Sequence, residues 1–482
     1  MKTKSIKRNY IYNVLNRIFS LITPVITAPY ISRVLEADGI GIYSYTSSIA
    51  AYFTLVATLG ITQYGQREIS YVQNKIEKRT AVFWETKILE FCTSGIVLFF
   101  YMIFISYKDN SMLYFVFAFE ILAVMFDVSW FFQGIEEFGK IVFRNIIIKI
   151  LNISFIFLFV GDKNDLVVYA FGSSFFVFLN NISLWGCLTK YLCKVSISSL
   201  HPFRNFKVVL SLFIPEVAIQ IYTVLDKTML GVIGGNSFEN GYYEQAMKIS
   251  KMVLTLVTSL GIVVAPRIGF FYKQEKINEV RELMYNAYRF IWMAGMPLCV
   301  GLILVSSNFV PWFFGNGYEK VALLLKILAP LVLAIGFSNA TGIQYLIQTQ
   351  RQNLVTITVV LGAFCNFILN LFLIPVFQSV GASISSVIAE FVVSIVQMLM
   401  IRKEISLFRV VIDGSRYFAA SGIMAIFLTV LGRNMSASII HTFILVGCGG
   451  LIYVLSLVIM KDSFLITNLE LIIKGVRSGK RK

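Results

Sequence analysis

Residues 142–160 read VFRNIIIKILNISFIFLFV, and this stretch is enough to decide the fold class. Its length matches the roughly 20 residues that a helix needs to cross about 30 Å of hydrocarbon. Three of its polar members, Asn145, Lys149 and Asn152, are spaced at i, i+4 and i+7, so they share one face of a helix. The stretch therefore predicts a membrane-spanning helix with one polar side.

The rest of the chain repeats this pattern. Its 482 residues are 57% hydrophobic and 14% charged, with a mean hydropathy of +0.76, whereas soluble domains are about 45–50% apolar and about 25% charged. We count about fourteen apolar runs, and none has the short alternating pattern of a β-barrel strand. The runs begin near Tyr10, Ile40, Phe83, Met112, Val142, Asp165, Val208, Gly241, Tyr285, Glu319, Asn353, Val380, Asp413 and Ser438. The sequence therefore predicts an all-α integral membrane protein without a substantial soluble domain.

The basic residues predict the orientation. If the amino terminus is cytoplasmic, the outer gaps hold only Arg33, Lys108, Lys163 and Arg433, and the other basic residues between runs fall inside. This bias is the positive-inside pattern. We therefore expect a multi-pass membrane protein with both termini in the cytoplasm. The net charge of +16 is then explained by topology signals beside anionic lipid, without nucleic acid.

The usual signatures of enzyme chemistry are missing from the sequence. It contains no GxxxxGK[ST] loop, no GxSxG elbow and no HExxH motif. Its six cysteines form no CxxC pair, and His201 and His441 are isolated. We therefore expect neither an enzyme nor a metal cofactor.

Five of the runs carry polar side chains along one face. A charged side chain at the bilayer centre costs about 2.5–3.5 kcal/mol on insertion scales, so it normally faces protein or water. Any single residue could instead join helices through hydrogen bonds, but five polar faces together favour a shared wet interior. The faces consist of Asn13, Arg17, Ser20 and Thr27; Asn145, Lys149 and Asn152; Glu216, Gln220, Thr223 and Lys227; Glu244, Lys248, Lys251, Thr255 and Thr258; and Ser383, Ser386, Glu390, Ser394 and Gln397.

The charges within the runs are basic on balance. A basic interior favours an anionic substrate group such as a phosphate. The opposing carboxylates, when buried, can carry protons or bind sodium ions. The residues thus indicate an ion-coupled transporter of an anionic solute.

A faint internal repeat suggests how such a transporter is organised. Gly41-Ile42-Tyr43 opens the second run, and Gly241-Tyr242-Tyr243 opens the eighth. Transporters are often built from repeats with the substrate site between them. We therefore predict a six-helix lobe over residues 1–207, a second over residues 208–411, and two extra helices with a basic tail over residues 412–482.

Several strings, in order along the chain, resemble the Wzx-type polysaccharide flippases. This family of repeat-unit flippases belongs to the multidrug/oligosaccharidyl-lipid/polysaccharide (MOP) exporter superfamily. The resemblance covers nearly the whole chain and includes the helix count. The strings are residues 28–35 (APYISRVL) followed by residues 39–43 (GIGIY), residues 64–68 (YGQRE), residues 130–134 (WFFQG) and residues 226–231 (DKTMLG).

The resemblance implies two pseudo-symmetric six-helix bundles around a central cavity, with two further carboxy-terminal helices. It implies a substrate of undecaprenyl diphosphate carrying an oligosaccharide repeat unit. The unit would pass from the cytoplasmic to the outer leaflet by alternating access, for capsule, O-antigen or exopolysaccharide synthesis. A polysaccharide polymerase and chain-length machinery are the implied partners, together with membrane lipids.

Candidate site residues follow from the polar faces and the resemblance together. Asp226 and Lys227 match a family string directly, whereas Arg17 is inferred from its position and by analogy to cationic cavities in related flippases. We predict that Arg17, Lys149, Lys227, Lys248 and Lys251 contact the diphosphate or line the cavity. We predict that Asp127, Glu216, Asp226 and Glu390 couple transport to H+ or Na+.

Three alternatives stay open on the sequence. The first is a lipid II flippase of the same superfamily. The second is a multidrug/cation antiporter, which the basic interior disfavours because its substrates are mostly cationic. The third is a membrane polysaccharide polymerase or ligase, which the short outer gaps disfavour.

Overall fold

The computed structural model describes residues 6–108, 111–259 and 261–467, and within the first helix it describes side chains from residue 18 onward. These residues form helices and no strand. Eleven helical segments among them are long and apolar enough to cross a membrane. The predicted all-α, multi-pass membrane fold is therefore confirmed, whereas the predicted number of crossings stays a prediction.

The chain folds as two compact units, Met1–Gly241 and Tyr242–Lys482. The helices of the first unit are α1 (Ile6–Thr58), α2 (Ile61–Val72), α3 (Ile76–Ser106), α4 (Ser111–Met125), α5 (Ser129–Gly134), α6 (Phe138–Phe159), α7 (Leu166–Ile182), α8 (Trp185–Leu188) and α9 (Phe206–Ile233). Helix α10 (Ser237–Thr258) begins at the end of this unit and continues into the second.

A break divides α1 into two helices. Glu36 has a φ of 56° and a ψ of 178°, which lies outside the helical region. The sequence places helix starts near Tyr10 and Ile40, so the break falls in the predicted gap. The first two predicted helices are therefore the two parts of α1, before and after Glu36.

The core of the first unit lies where α1, α3, α4 and α7 meet. Ala50, Tyr101, Phe117 and Ala170 are each completely buried there. Tyr101 satisfies its hydroxyl by donating a hydrogen bond of 2.8 Å to the backbone oxygen of Tyr114. An aromatic side chain can lie in an apolar core when its polar end finds a partner in this way.

The second unit continues with α11 (Gly261–Lys273), α12 (Ile277–Phe314), α13 (Glu319–Leu328), α14 (Leu331–Ser338), α15 (Gln352–Phe377), α16 (Ser379–Met400), α17 (Leu407–Gly432) and α18 (Ile439–Ile459). A π-helix, Asn339–Leu346, follows α14 directly. Helices α17 and α18 pack against α12 through a cluster that includes Tyr417, Met424, Leu445 and Tyr453.

Several of the predicted helices differ from the observed ones, and the third begins at Ile76 instead of near Phe83. The ninth begins at Ile277 instead of near Tyr285, because Val280 and Met284 bury one side of its first turns. The tenth is a composite of α13, α14 and the π-helix. The predicted lobe boundaries at residues 207 and 411 concern internal symmetry and stay a prediction.

Candidate substrate and ion-coupling sites

Helix α6 reaches α1 through one of the predicted substrate-binding lysines. The Nζ atom of Lys149, which is half-buried, donates a hydrogen bond of 2.6 Å to the Oγ atom of Ser20. The two residues are 129 positions apart and belong to two of the predicted polar faces. Arg17 lies three residues before Ser20, but its side chain lies outside the described residues. Its role stays a prediction.

A buried ion pair on α3 is the strongest electrostatic feature of the first unit that the sequence analysis did not identify. The Nζ atom of Lys87 lies 2.7 Å from the Oε2 atom of Glu90, and their side chains are 0% and 1% exposed. Lys87 also donates a hydrogen bond of 2.7 Å to the backbone oxygen of Asp127. The rings of Phe91 and Trp185 lie 5.2 and 5.6 Å from the ammonium group, within cation–π range.

Asp127, a predicted ion-coupling residue, belongs to the same region. Its carboxylate accepts hydrogen bonds from the backbone N–H of Ser129 at 2.8 Å and from the Ser129 hydroxyl at 2.9 Å. Asp127 therefore fixes the start of α5. We call Lys87, Glu90 and Asp127 the α3 charge cluster.

Arg144 of α6 brings a further positive charge close to this cluster. Its guanidinium group interacts electrostatically with Asp127, and one of its nitrogens donates a hydrogen bond of 2.9 Å to the Oδ1 atom of Asn145. The Nε and Nη1 atoms of Arg144 are buried with no hydrogen-bond partner among the described residues. Such unsatisfied buried donors are costly and point to water or an anion.

Helix α9 packs against the second half of α1 at the string that resembles the flippase family. Asp226 is 7% exposed and lies close enough to Tyr52 for an electrostatic interaction. The hydroxyl of the neighbouring Thr228 lies 3.0 Å from that of Ser48 and donates to that of Tyr52 at 3.1 Å. Lys227 is half-buried on the same turn. The string therefore joins two helices within the first unit.

The weak glycine repeat has a structural meaning. A Cβ atom at Gly41 would lie 1.7 Å from the carbonyl oxygen of Ser237, and one at Gly241 would lie 2.0 Å from that of Ala37. Both distances are far below van der Waals contact, so only glycine allows the two backbones to approach this closely. The repeated glycines therefore meet each other in space.

Glu216 occupies a different place on α9 from Asp226 and Lys227. Its carboxyl group is half-buried and lies beside the side-chain amide of Gln63 on α2. The described contacts thus separate the ion-coupling candidates of the first unit: Asp127 adjoins α3, Glu216 adjoins α2 and Asp226 adjoins α1.

The remaining candidates lie in the second unit. Lys248 and Lys251 are on α10, and Glu390 is on α16. The hydroxyls of Tyr243 and Ser386 lie 3.0 Å apart and join these two helices. Because Ser386 is one helical turn before Glu390, the carboxylate lies on the side of α16 that approaches α10. Whether these three residues contact substrate or ion stays a prediction.

A polar π-helix is a second feature that the sequence analysis did not identify. The hydroxyl of Thr341 lies 2.8 Å from that of Tyr288 on α12, and Gln344 donates a hydrogen bond of 3.2 Å to Asn339. π-Helical turns frequently occur at functional sites. No sequence pattern that we used distinguishes a π-helix from an α-helix.

Comparisons with known proteins agree with the fold and the resemblance. The chain is 22% identical over 404 residues to the "Putative O-antigen transporter" of Escherichia coli (strain K12), covering 83% of this chain and 97% of that protein. It is 25% identical over 254 residues to the "Probable flippase AglR" of Haloferax volcanii, covering about half of each protein. These relatives are named as transporters or flippases, so the prediction of a transport protein rather than an enzyme is confirmed.

Solved structures show the same fold. The lipid II flippase MurJ in an inward closed conformation superposes with a TM-score of 0.72 at 17% identity, over 95% of this chain and 99% of that chain. An inward-facing multidrug resistance transporter of the MATE family has a TM-score of 0.60 at 15% identity, over 82% of this chain and 99% of that chain. The fold is therefore that of the MOP exporter superfamily.

The model of the family described as "Polysaccharide biosynthesis protein" matches residues 6–271, more than half of the chain. This span includes all four strings that resemble the Wzx-type flippases, together with α1 to α9. The predicted resemblance is therefore confirmed, and the chain belongs to the polysaccharide biosynthesis protein family.

Proposed function

We propose that this protein is a flippase that moves an oligosaccharide repeat unit, linked to undecaprenyl diphosphate, from the cytoplasmic to the outer leaflet. The similarity to the O-antigen transporter, which extends over 97% of that relative, carries the proposal. The family match and the MOP fold support it. The protein would act in the bacterial cytoplasmic membrane with both termini inside, and capsule, O-antigen or exopolysaccharide would be the end product.

The basic side chains give the proposal its chemistry. A diphosphate carries negative charge that hydrocarbon does not solvate, and cationic side chains in a wet cavity replace its hydration. We propose that Arg17, Lys149, Lys227, Lys248 and Lys251 supply this charge during alternating access. Lys149 supports the proposal because its ammonium group is held by a neutral hydroxyl, which leaves its positive charge uncompensated in that contact.

The acidic candidates provide the energy coupling in this proposal. Asp127, Glu216, Asp226 and Glu390 would take up and release H+ or Na+ as the protein changes conformation. Moving one elementary charge across 100 mV is worth about 2.3 kcal/mol, so the membrane potential can bias such a cycle. Flipping in proteoliposomes under an imposed pH or sodium gradient tests the coupling, because an uncoupled carrier responds to neither gradient.

The decisive experiment follows the lipid-linked oligosaccharide in a deletion strain. An impermeant sugar-modifying reagent assigns each repeat unit to a leaflet. We expect complete units trapped on the cytoplasmic side. Units that reach the outer leaflet but remain unpolymerised would reject flipping and favour the polymerase.

Variants then test the site assignment. Arg17→Ala and Lys227→Ala should abolish surface polysaccharide while the protein still reaches the membrane. Lys75→Ala, an exposed position between α2 and α3, serves as the matched control and should leave the polysaccharide intact. Normal surface polysaccharide in both the Arg17→Ala and the Lys227→Ala strains would rule out these two residues as substrate-binding residues.

Lipid II is the second candidate substrate, because the MurJ fold matches almost the whole of both chains. Expression of this protein in cells depleted of their lipid II flippase separates the two functions. Restored growth would favour lipid II, whereas continued lysis together with restored surface polysaccharide in the deletion strain would favour the repeat unit.

A further inference from the structure

A basic cavity lies at the start of α17 in the second unit, and none of its lining residues is a candidate residue for transport. Its volume is about 550 Å³. Arg281 lines it from the first turns of α12, and Arg402 and Lys403 line it from the loop between α16 and α17. Three cations from two separate parts of the chain thus surround one opening.

The cavity keeps its positive charge because its acidic residue is already engaged. Glu404 lines the same cavity, but its carboxylate accepts two hydrogen bonds from Arg351, at 2.6 and 2.8 Å, and one from the hydroxyl of Tyr345. Arg402 and Lys403 are exposed and form no salt bridge with any residue that the structure describes. Their charges therefore remain available to an anion.

The wall of the cavity is held in place by Tyr285. The backbone N–H of Ser406 donates a hydrogen bond of 2.9 Å to the Tyr285 hydroxyl. The guanidinium carbon of Arg409 lies 3.9 Å from the centroid of the same ring. These contacts fasten the backbone of the loop and the start of α17 to α12.

An apolar strip begins where the basic cavity ends. Leu407 and Phe408 line the cavity and are the first two residues of a membrane-spanning segment that runs to Gly432. Phe408, Val411 and Ile412 follow at helical spacing and are 75%, 62% and 50% exposed. The cavity therefore lies at the membrane boundary, with an exposed apolar face directly next to it.

We propose that this cavity binds the headgroup of an anionic phospholipid whose acyl chain lies along the exposed face of α17. Arginine and lysine match phosphate oxygens in charge and hydrogen bonding, and basic pockets between membrane helices are suited to lipid headgroups. A free phosphate would need only the cations. The adjoining apolar strip favours a ligand that has both a phosphate and a hydrocarbon chain.

Native mass spectrometry of the purified full chain tests the proposal with phosphatidylglycerol and phosphatidylcholine as probes. The wild type should bind phosphatidylglycerol more tightly than phosphatidylcholine. Replacing Arg281, Arg402 and Lys403 with Gln should weaken phosphatidylglycerol binding by about a hundredfold, since each of the three cations contributes roughly a fivefold effect near an anionic group. The matched control replaces the exposed Lys75, Lys78 and Lys194 with Gln, which makes the same change in net charge.

Each outcome decides the proposal. Loss in the cavity variant with retention in the control supports it, and so does restored binding when Arg281→Lys, Arg402→Lys and Lys403→Arg keep the charges. Equal losses in both triple variants, or no preference for phosphatidylglycerol, would overturn it.

Two further measurements distinguish a lipid from a free anion. Val411→Ala, at an exposed position outside the cavity lining, should weaken binding of long-chain phosphatidylglycerol and leave the dihexanoyl form unaffected. Displacement of phosphatidylglycerol by millimolar inorganic phosphate, with no dependence on chain length, would assign the cavity to free phosphate and overturn the lipid proposal. Neither result tests the proposed flippase function, which is argued from other residues.

Discussion

Two ion pairs, one in each unit, show how differently the molecule uses charge. Lys87 and Glu90 are neighbours on one helix and are almost completely buried. Arg289 of α12 and Asp413 of α17 come from helices far apart in sequence, and their side chains are 28% and 18% exposed. The second pair is bidentate, with distances of 2.8 and 3.0 Å.

The difference shows what each pair contributes. A buried pair does not have to stabilise the fold relative to apolar residues, but neither partner can be removed alone, because the other is left as an uncompensated charge. A partly exposed pair between two helices, such as Arg289 and Asp413, orients one helix on the other, and water can replace a missing partner. Burial should therefore set the order of mutational effects, and the following four predictions run from the largest to the smallest.

Removing one member of the buried pair should have the largest effect. Lys87→Met leaves the Glu90 carboxylate without its partner, and we expect a loss of about 3–5 kcal/mol in the free energy of unfolding. Thermal unfolding in detergent measures it. The double variant Lys87→Met with Glu90→Gln should recover most of the loss. A double variant no more stable than Lys87→Met would mean that the α3 charge cluster stabilises by more than charge compensation.

Arg289→Ala should have an intermediate effect. The loss of two charge-assisted hydrogen bonds between α12 and α17 is expected to cost about 1–2 kcal/mol, since the pair is partly solvated. Arg289→Lys keeps the positive charge but cannot donate two parallel hydrogen bonds to the Asp413 carboxylate. The stability of this variant should therefore lie between those of Arg289→Ala and the wild type in the same unfolding assay. An effect as large as that of Lys87→Met would contradict the dependence on burial.

The ion pair between Arg351 and Glu404 should make the stability of the protein depend on pH. The Arg351 guanidinium holds the pKa of Glu404 below its usual value. In the unfolded chain, Glu404 therefore takes up a proton at a higher pH than in the folded protein. Its contribution to the free energy of unfolding is complete above its usual pKa and is lost as the pH falls through its lowered pKa. We expect the unfolding temperature of the wild type to decline more than that of Glu404→Gln between about pH 5 and pH 3. Parallel declines would show that the pair adds no stability.

Arg67 and Glu68 provide the lower limit of the series. Their side chains are 39% and 25% exposed, and they are adjacent in sequence. Exposed pairs of this kind are worth about 0–1 kcal/mol. Arg67→Ala should therefore leave the unfolding temperature nearly unchanged, and a large decrease would indicate a role for this residue outside the ion pair.

The helices were the feature most predictable from the sequence, because the thickness of the membrane sets the length of the apolar run that crosses it. The break at Glu36 falls in the gap predicted before Ile40, and the fold and family predicted from four short strings are confirmed. The start of α12 was misplaced because its first turns are amphipathic and bury Val280 and Met284 without a continuous apolar run.

Contacts within the sites were less predictable. Lys87 and Glu90 lie inside an apolar run whose average hydropathy conceals them, although an opposite-charge pair three residues apart is a signal that could have been sought. The contact between Lys149 and Ser20 joins faces that the sequence identified, but the pairing depends on helix packing over 129 positions. The basic cavity depends on a loop meeting the start of α12, which no helical periodicity encodes.

The π-helix Asn339–Leu346 has a consequence for how this family can change in length. Its hydrogen bonds span five residues, as between the Ile347 N–H and the Gly342 oxygen at 3.0 Å, so each turn contains about one residue more than an α-helical turn. A single-residue deletion there can turn a π-turn into a fully bonded α-helical turn and leave the two flanking segments in nearly the same relative orientation. Single-residue deletions among relatives should therefore concentrate in this segment rather than in α15, where removing one residue would turn the rest of the helix, with its packed face, by about 100°.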